Sequence, residues 1–270
     1  MIIDLAIVIP YYNESKTILK TLQQLTNQTY KPKEVILINS SSTDNTSNII
    51  ESWISKYEND QIFFKNIFKN TSLPSSSKNL GVKNSNSKYL AFMDCDLLFS
   101  DRWIEDQYNK LIKNDLDVVF GTVRLTGKSN FDICCVAQTY GYNKTHECVP
   151  GTLMKKSTFE KIKGFKEFRA GYDPFWRKQI KESKIRFFVP KDTIVEYMGI
   201  NYAKNYKQLV SKTISYTMAS EALYKSYKNN FLLILSIFSI PLAIFLPELL
   251  INLLLIYIIL RGYLFPLIKS

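Results

Sequence analysis

The sequence predicts an α/β fold: a mostly parallel sheet with helices on both faces, followed by helices embedded in a membrane. Three observations carry this. Strand and helix signals alternate from Leu5 to Met93, polar or acidic groups stand where the predicted strands end, and Phe231 to Ile268 is almost wholly apolar.

Leu5 to Ile9 is a continuous apolar run of strand length. Residues 15–28 follow with Ile18, Leu19, Leu22 and Leu25 at helical spacing. Val35 to Ile38 is the second strand, and a Ser/Thr/Asp cluster then opens a helix over residues 45–56, with Thr43 or Asp44 as its N-cap. Ile62 to Phe68 reads as a third strand, Ser75 to Asn84 as a helix, and Tyr89 to Met93 as a fourth strand. Continuous apolar runs separated by helices belong to parallel sheets buried on both faces. Ligands of such sheets lie beyond the carboxyl ends of the strands, so the chemistry is expected just after Ile9, Ile38 and Met93. Residues 117–200 mix strands (118–123, 185–189 and 193–197) with short basic helices.

The 270 residues carry 35 Lys+Arg against 24 Asp+Glu. Between Lys155 and Lys191 there are twelve basic residues and four acidic ones. Such a field favours phosphate-bearing partners. Nucleic acid is not among those expected, because the sequence has no helix-turn-helix, RNP or zinc-finger signature. Cys95, Cys134, Cys135 and Cys148 show no disulfide framework, and reduced thiols in a cytosolic compartment are expected. His146, the only histidine, could join three of them in a zinc site, although adjacent cysteines suit zinc-knuckle geometry poorly.

No signal peptide is expected at Met1. Residues 201–229 predict a basic amphipathic helix that lies against a membrane, packs on the catalytic domain, or does both. From Phe231 to Leu260 the only charged residue is Glu248, and residues 230–270 predict a membrane hairpin turning at Pro247-Glu248, with one long tilted helix as the alternative. Lys225 and Lys228 before it, and Arg261 and Lys269 at its far end, place both ends on the cytoplasmic side of the cell membrane.

The strand ends carry informative groups. Pro10-Tyr11-Tyr12-Asn13-Glu14 offers rings to stack and amide or acid groups to hydrogen-bond. Asn39 to Asp44 is a polar turn opening a helix, whose N–H groups suit an anion. Asp94 and Asp96, leaving a buried strand, offer hard oxygen ligands to Mg²⁺ or Mn²⁺, with water and a substrate diphosphate completing the shell.

Taken together, these motifs resemble family 2 glycosyltransferases, the inverting enzymes of the GT-A fold, a Rossmann-like architecture. Ala6 to Glu14 matches an apolar strand followed by P-x-Y-N-E. Ile38 to Thr46 echoes V-D-D-G-S-T-D-x-T, and Ser77-Lys78-Asn79-Leu80-Gly81 echoes A-R-N-x-G. Residues 89–96 match the strand and D-x-D, and Lys163-Gly164-Phe165 looks like G-G-F. The resemblance covers residues 4–200 and divides the chain into a GT-A domain over 1–200, the basic helix over 201–229 and the membrane hairpin over 230–270.

The resemblance implies a nucleotide-sugar donor, a divalent metal, and a lipid-linked or other glycan as acceptor. It implies Asp94 and Asp96 at the metal, and Pro10, Tyr12, Asn13, Glu14, Asn39, Ser40, Lys78 and Asp94 around the donor. Asp173 stands where the family has its catalytic base, although Asp before Pro174 is also a helix-capping pattern. The departures are equally specific. Asn39 and Ser40 replace frequent acids, which leaves the nucleobase open, Lys78 replaces Arg, and Tyr172 replaces Glu. The family's late histidine has no counterpart near Val195, where Glu196 is the candidate substitute. No Q-x-x-R-W follows Asp173, so a processive polymerase is not implied. Two other classes compete: a nucleotidyltransferase, which would want a Gly-rich loop after the first strand, and a non-catalytic sugar-nucleotide binder, against which the three acids argue.

Overall fold

The computed structural model describes residues 1–57, 62–71, 73–125, 129–139, 145–168, 171–192, 194–199 and 203–212. It divides into two units, residues 1–124 with 145–199, and residues 125–144 with 200–270.

In chain order the first half contains β1 (Ile2–Tyr11), α1 (Ile18–Thr26), β2 (Lys31–Asn39), α2 (Thr46–Tyr57), β3 (Phe63–Phe68), α3 (Pro74–Lys83), β4 (Tyr89–Phe92) and β5 (Leu97–Leu98). Then follow α4 (Trp103–Lys113), β6 (Val118–Arg124), α5 (Asn130–Thr139), β7 (Thr145–Lys155), α6 (Lys156–Lys161), α7 (Tyr172–Lys181), β8 (Phe187–Phe188) and β9 (Ile194–Tyr197).

The strands of the first unit form one sheet in the order β3-β2-β1-β4-β7-β6-β9-β5, with β8 beside β6. β3, β2, β1 and β4 run parallel, as their apolar runs predict. As a whole the sheet stays mostly parallel, with β6 parallel to β8 and β9, but beyond β4 it is mixed: β7 runs antiparallel to β4 and β6, and β5 antiparallel to β9. No strand is legible at β7 in the sequence because Pro150-Gly151 reads as a breaker there. In the fold that dipeptide meets an irregularity in the β6–β7 register between Val119 and Gly121. A Cβ on Gly121 would lie 1.9 Å from the Pro150 carbonyl oxygen, so only glycine admits this close approach.

The core behind the site joins Val8, Ile36, Phe92, Phe120, Phe165 and Trp176. Phe92 meets Phe165 edge-on at 5.0 Å between ring centroids, and Trp176 of α7 packs against both Phe120 and Phe165. α7 is thereby clamped over β4 and β6. α3 packs directly on β1, where a Cβ on Gly81 would lie 2.3 Å from Val8 Cγ1. The glycine of the Ser77–Gly81 motif is therefore a packing residue.

In the second unit, Cys134, Cys135 and Val136 of α5 are buried, residues 206–212 are helical, and Phe131 meets Tyr206 edge-on at 4.9 Å. Only the start of the expected basic helix falls within the described residues, and the expected membrane hairpin lies outside them. Among the described residues no helix is long and apolar enough to cross a membrane.

Candidate active site

The carboxyl ends of β1, β2 and β4 lie side by side, which brings three of the sequence motifs together. Tyr11 and Asn39 are register partners at the ends of β1 and β2, and Met93 donates its N–H to the Val8 carbonyl as the chain leaves β4. The loops after β1 and β2 then bind each other. Asn13, at φ 56°, accepts the Thr43 N–H at 2.8 Å on its Oδ1, a left-handed position that asparagine tolerates. The Glu14 N–H donates to the Thr46 hydroxyl at 2.8 Å, and the Glu14 carboxylate accepts from Thr17 at 2.7 Å. Asn13 and Glu14 thus shape the rim of the site, and Tyr12 beside them is 58% exposed. Pro10 is the penultimate residue of β1 and only partly buried.

Asn39 accepts the Ser42 N–H at 2.8 Å on its own Oδ1. Ser40 shares a 2.8 Å hydrogen bond with Ser77, joining the β2 end to α3.

Lys78 is the pivot. Its side chain is buried, and its ammonium donates to Asp94 Oδ1 at 3.0 Å and to the Tyr172 hydroxyl at 3.2 Å. Burial would lower the ammonium's pKa, but Asp94 and the Tyr172 oxygen outweigh it and hold the group above its ordinary range. Burial likewise pushes the Tyr172 phenol up to about 12, so it stays protonated. The other oxygen of Asp94 accepts from the Tyr197 hydroxyl at 3.2 Å. Glu196, the expected stand-in for the family histidine, is instead exposed and pairs with Leu98 through the β9–β5 ladder. Strand alternation gives Tyr197 the inward position. The Asp96 carbonyl accepts from the Met198 N–H at 2.7 Å, which ties the D-x-D turn to the end of β9.

Among the described residues no three His, Cys, Asp or Glu side chains converge as a ready metal cage. All four cysteines are buried. The acids at the β4 end nevertheless suit a cation that draws its other ligands from a diphosphate. Burial pushes the Cys95 thiol well up, and the nearby charges of Glu14, Asp94 and Asp96 add to that shift. The Glu14 carboxyl is itself raised, chiefly by burial and further by Asp94 and Asp44, against the hydrogen bond from Thr17. Two hard acids plus a diphosphate fit Mg²⁺ or Mn²⁺.

Asp173 lies on the other side of β4. α7 begins at Tyr172 with Gly171 as its N-cap, and Asp173 makes no capping bond, so the capping reading does not hold. Its Oδ2 accepts the Val149 N–H of β7 at 3.1 Å, and its Oδ1 accepts from Arg177 Nε at 2.5 Å. Arg177 in turn donates to Glu147 of β7 at 3.1 Å, and Lys181 also binds Glu147. Glu147, Arg177 and Tyr197 are missing from the sequence reading. Only the Asp173–Arg177 spacing of four on a helix was a usable signal.

The sheet thus carries paired acids at the end of a central parallel strand, and a third acid on the helix fastened to the neighbouring strand. Residues 6–172, well over half the chain, match the model of glycosyl transferase family 2, and the chain belongs to that family. It is 36% identical over 110 residues to an uncharacterized glycosyltransferase of Rickettsia bellii, covering 41% of this chain and 15% of that one. It is 33% identical over 127 residues to the poly(ribitol-phosphate) beta-N-acetylglucosaminyltransferase TarP of Staphylococcus aureus strain N315, covering 46% of this chain and 37% of that one. The chain thus spans well under half the length of these relatives. Among solved structures, S. aureus TarS 1-349 in complex with UDP-GlcNAc superposes with a TM-score of 0.55 at 18% identity, over 75% of this chain and 61% of that one. The mannosyltransferase PcManGT of Pyrobaculum calidifontis, in complex with GDP-Man and Mn²⁺, gives 0.58 at 15% identity, over 96% and 86%. At these identities the two structures establish the shared fold.

Proposed function

We propose that this chain transfers a sugar from a nucleotide-diphosphate sugar to a hydroxyl of a glycan acceptor, with inversion, at the cytoplasmic face of a membrane. The observation that carries this reading is the bridge through Lys78, which hydrogen-bonds both Asp94 and Tyr172, the residue next to Asp173. The donor-side acids and the candidate base are thereby held to one scaffold.

In this reading the donor diphosphate lies at the β4 end, beside Lys78, Asp94 and Asp96. Asp173 takes the proton of the acceptor hydroxyl. That oxygen's electron pair forms the bond to the anomeric carbon from the face opposite the diphosphate. The bond from the anomeric carbon to the phosphate oxygen breaks, and the nucleoside diphosphate leaves with that pair. A single displacement inverts the anomeric configuration. A divalent cation held by Asp94 and Asp96 would supply charge to the departing diphosphate. The UDP-GlcNAc bound to TarS, and the GDP-Man and Mn²⁺ bound to PcManGT, support a nucleotide-sugar donor and a metal. Membrane attachment is supported by the apolar sequence from Phe231 to Ile268, and a lipid-linked acceptor is the partner such attachment favours.

The test is a screen of nucleotide sugars for metal-dependent turnover by the full chain in detergent. Asp96→Ala is expected to abolish turnover without lowering the melting temperature. Undiminished turnover in excess chelator would remove the metal from the mechanism. For topology, a tag after Ser270 should be protected from protease on the side opposite the catalytic domain.

A further inference from the structure

We propose that Thr21 is a positioning residue for the metal acids. Its hydroxyl fixes the peptide between Cys95 and Asp96, and with it the direction in which the Asp96 side chain leaves the chain. This deepens the transferase reading above and rests on it.

An amphipathic helix packs most simply through an apolar stripe. Ile18, Leu22 and Leu25 supply one on α1, but Thr21 and Gln24 beside them are also buried, as is Gln28 just past the helix. Burying such groups costs stability unless each finds a partner. All three find theirs in one place, the backbone that follows β4. Thr21 Oγ1 donates to the Cys95 carbonyl. Gln24 Nε2 donates to the Leu97 carbonyl at 2.9 Å, while its Oε1 accepts the Phe99 N–H at 3.1 Å. Gln28 repeats the arrangement with the Ser100 carbonyl at 2.8 Å and the Ile104 N–H at 2.9 Å. The two glutamine amides thus do for this stretch what a neighbouring strand would do.

The Thr21 bond is the one that bears on the acids. A helical threonine ordinarily turns its hydroxyl to the carbonyl one turn back. Here that carbonyl, of Thr17, is 3.4 Å away, and the hydroxyl reaches Cys95 as well. Cys95 stands between the two acids, and its carbonyl belongs to the peptide plane on the amino side of Asp96. The plane on the carboxyl side of Asp96 is also held, by the 2.7 Å bond from the Met198 N–H to the Asp96 carbonyl. With both planes fixed, φ and ψ of Asp96 are fixed, and so is its Cα–Cβ bond. Asp94 is held in another way, by Lys78 and Tyr197 on the carboxylate itself. One acid is set through its side chain and the other through its backbone.

α1 also ties this turn to the rim of the site. Its first turn hangs from Glu14, whose carbonyl accepts the N–H groups of Thr17 and Ile18 at 3.1 and 3.0 Å. The helix is therefore a spacer of set length between the donor rim at Glu14 and the turn at Asp96. Hydrogen bonds that orient a metal ligand from behind are worth about 10 to 100-fold in metal affinity.

The experiment is a Mn²⁺ titration of the full chain in detergent with UDP and, separately, GDP. Free Mn²⁺ is followed by electron paramagnetic resonance against a protein-free blank, and thermal melts show that each variant is folded. Thr21→Val removes the hydroxyl but keeps the branched shape, and should weaken Mn²⁺ binding by about tenfold or more. Thr21→Ser, which keeps the hydroxyl, should bind Mn²⁺ as the unaltered protein does. Gln24→Leu, whose partner Leu97 adjoins Asp96, should also weaken binding, and it carries the test if Thr21→Val does not fold. Gln28→Leu is the control for loop stability. It removes hydrogen bonds from the same stretch beyond the acids, and should lower the melting temperature with Mn²⁺ affinity unchanged. Full Mn²⁺ affinity in Thr21→Val, or an equal loss in Gln28→Leu, overturns the inference while leaving the transferase reading in place. No Mn²⁺ binding by the unaltered protein, or binding that Asp96→Ala leaves intact, removes the metal from that reading, and this inference with it.

Discussion

The buried ammonium of Lys78 lies 3.0 Å from Asp94 Oδ1, an ion pair in which the lysine side chain is 1% exposed and the aspartate 28%. Lysine here keeps the charge of the arginine that the family motif carries, but it reaches its two partners as a point charge with separate donors. Removing one partner of such a pair leaves the other charge uncompensated, at a cost of about 3–5 kcal/mol when both are fully buried. Lys78→Met should therefore destabilise the fold by about 3 kcal/mol, the lower end, because Asp94 retains some water. Denaturant unfolding measures this, and an unchanged midpoint would show that the pair contributes nothing to stability.

Asp173 holds the Val149 N–H and Arg177 while keeping lone pairs for a third donor, the position an acceptor hydroxyl would take. Asp173→Asn should lower kcat by about 10² to 10⁴-fold, the usual contribution of a positioned general base, while donor binding persists. Collapse of donor affinity with kcat untouched would instead make the residue structural.

Gly81 packs against Val8 so closely that a Cβ would stand 2.3 Å from a methyl of that residue. Val8 is fully buried in β1 and β-branched, so it has little freedom to move aside. Gly81→Ala should cost about 1–3 kcal/mol by overpacking. Adding Val8→Ala should then recover part of that loss, and strict additivity of the two changes in a double-mutant cycle would contradict the steric explanation.

Asp44 ties the start of α1 to that of α2. Its carboxylate accepts the Ser15 N–H at 3.1 Å and the Thr46 N–H at 3.0 Å. The slight burial would raise its pKa, but the hydrogen bonds from Thr46 and Ser15 outweigh it and hold the group at about 2, below its ordinary 3.8. The folded state thus binds this proton less readily than the unfolded one. The resulting stabilisation is complete above pH 4 or so and is lost as the pH falls toward 2. Melting temperatures should fall more steeply over that window in the unaltered protein than in Asp44→Asn. Parallel slopes would dissociate Asp44 from acid sensitivity.

Much of the site was legible before any fold was known. Asp94 and Asp96 were visible because a buried apolar strand ending in two carboxylates is chemically unusual, and Asn39 and Ser40 because a polar turn follows a similar run. Asn13 and Glu14 were legible as site residues, but their present partners were not. They bind the loop after β2, some thirty residues away in sequence. Tyr197 could not be told from Glu196, because which of two adjacent strand residues faces inward depends on register, and a slip of one residue exchanges them.

The sequence by itself determined the alternating strands and helices of the first half, their parallel pairing and the acids where the fourth strand ends. Each of those follows from local periodicity and from where an apolar run stops. Only the tertiary structure decided where the sheet reverses, at β7 and β5. β7 passes through Pro150-Gly151, residues that punctuate a chain read locally but are accommodated where Gly121 opposite them has no side chain. It also decided that Lys78, from α3, should join Asp94 of the β4 end to Tyr172 of α7, sixteen and ninety-four residues away in the chain. A buried ammonium must find its counter-charges, and no local pattern records which distant strand and helix will supply them.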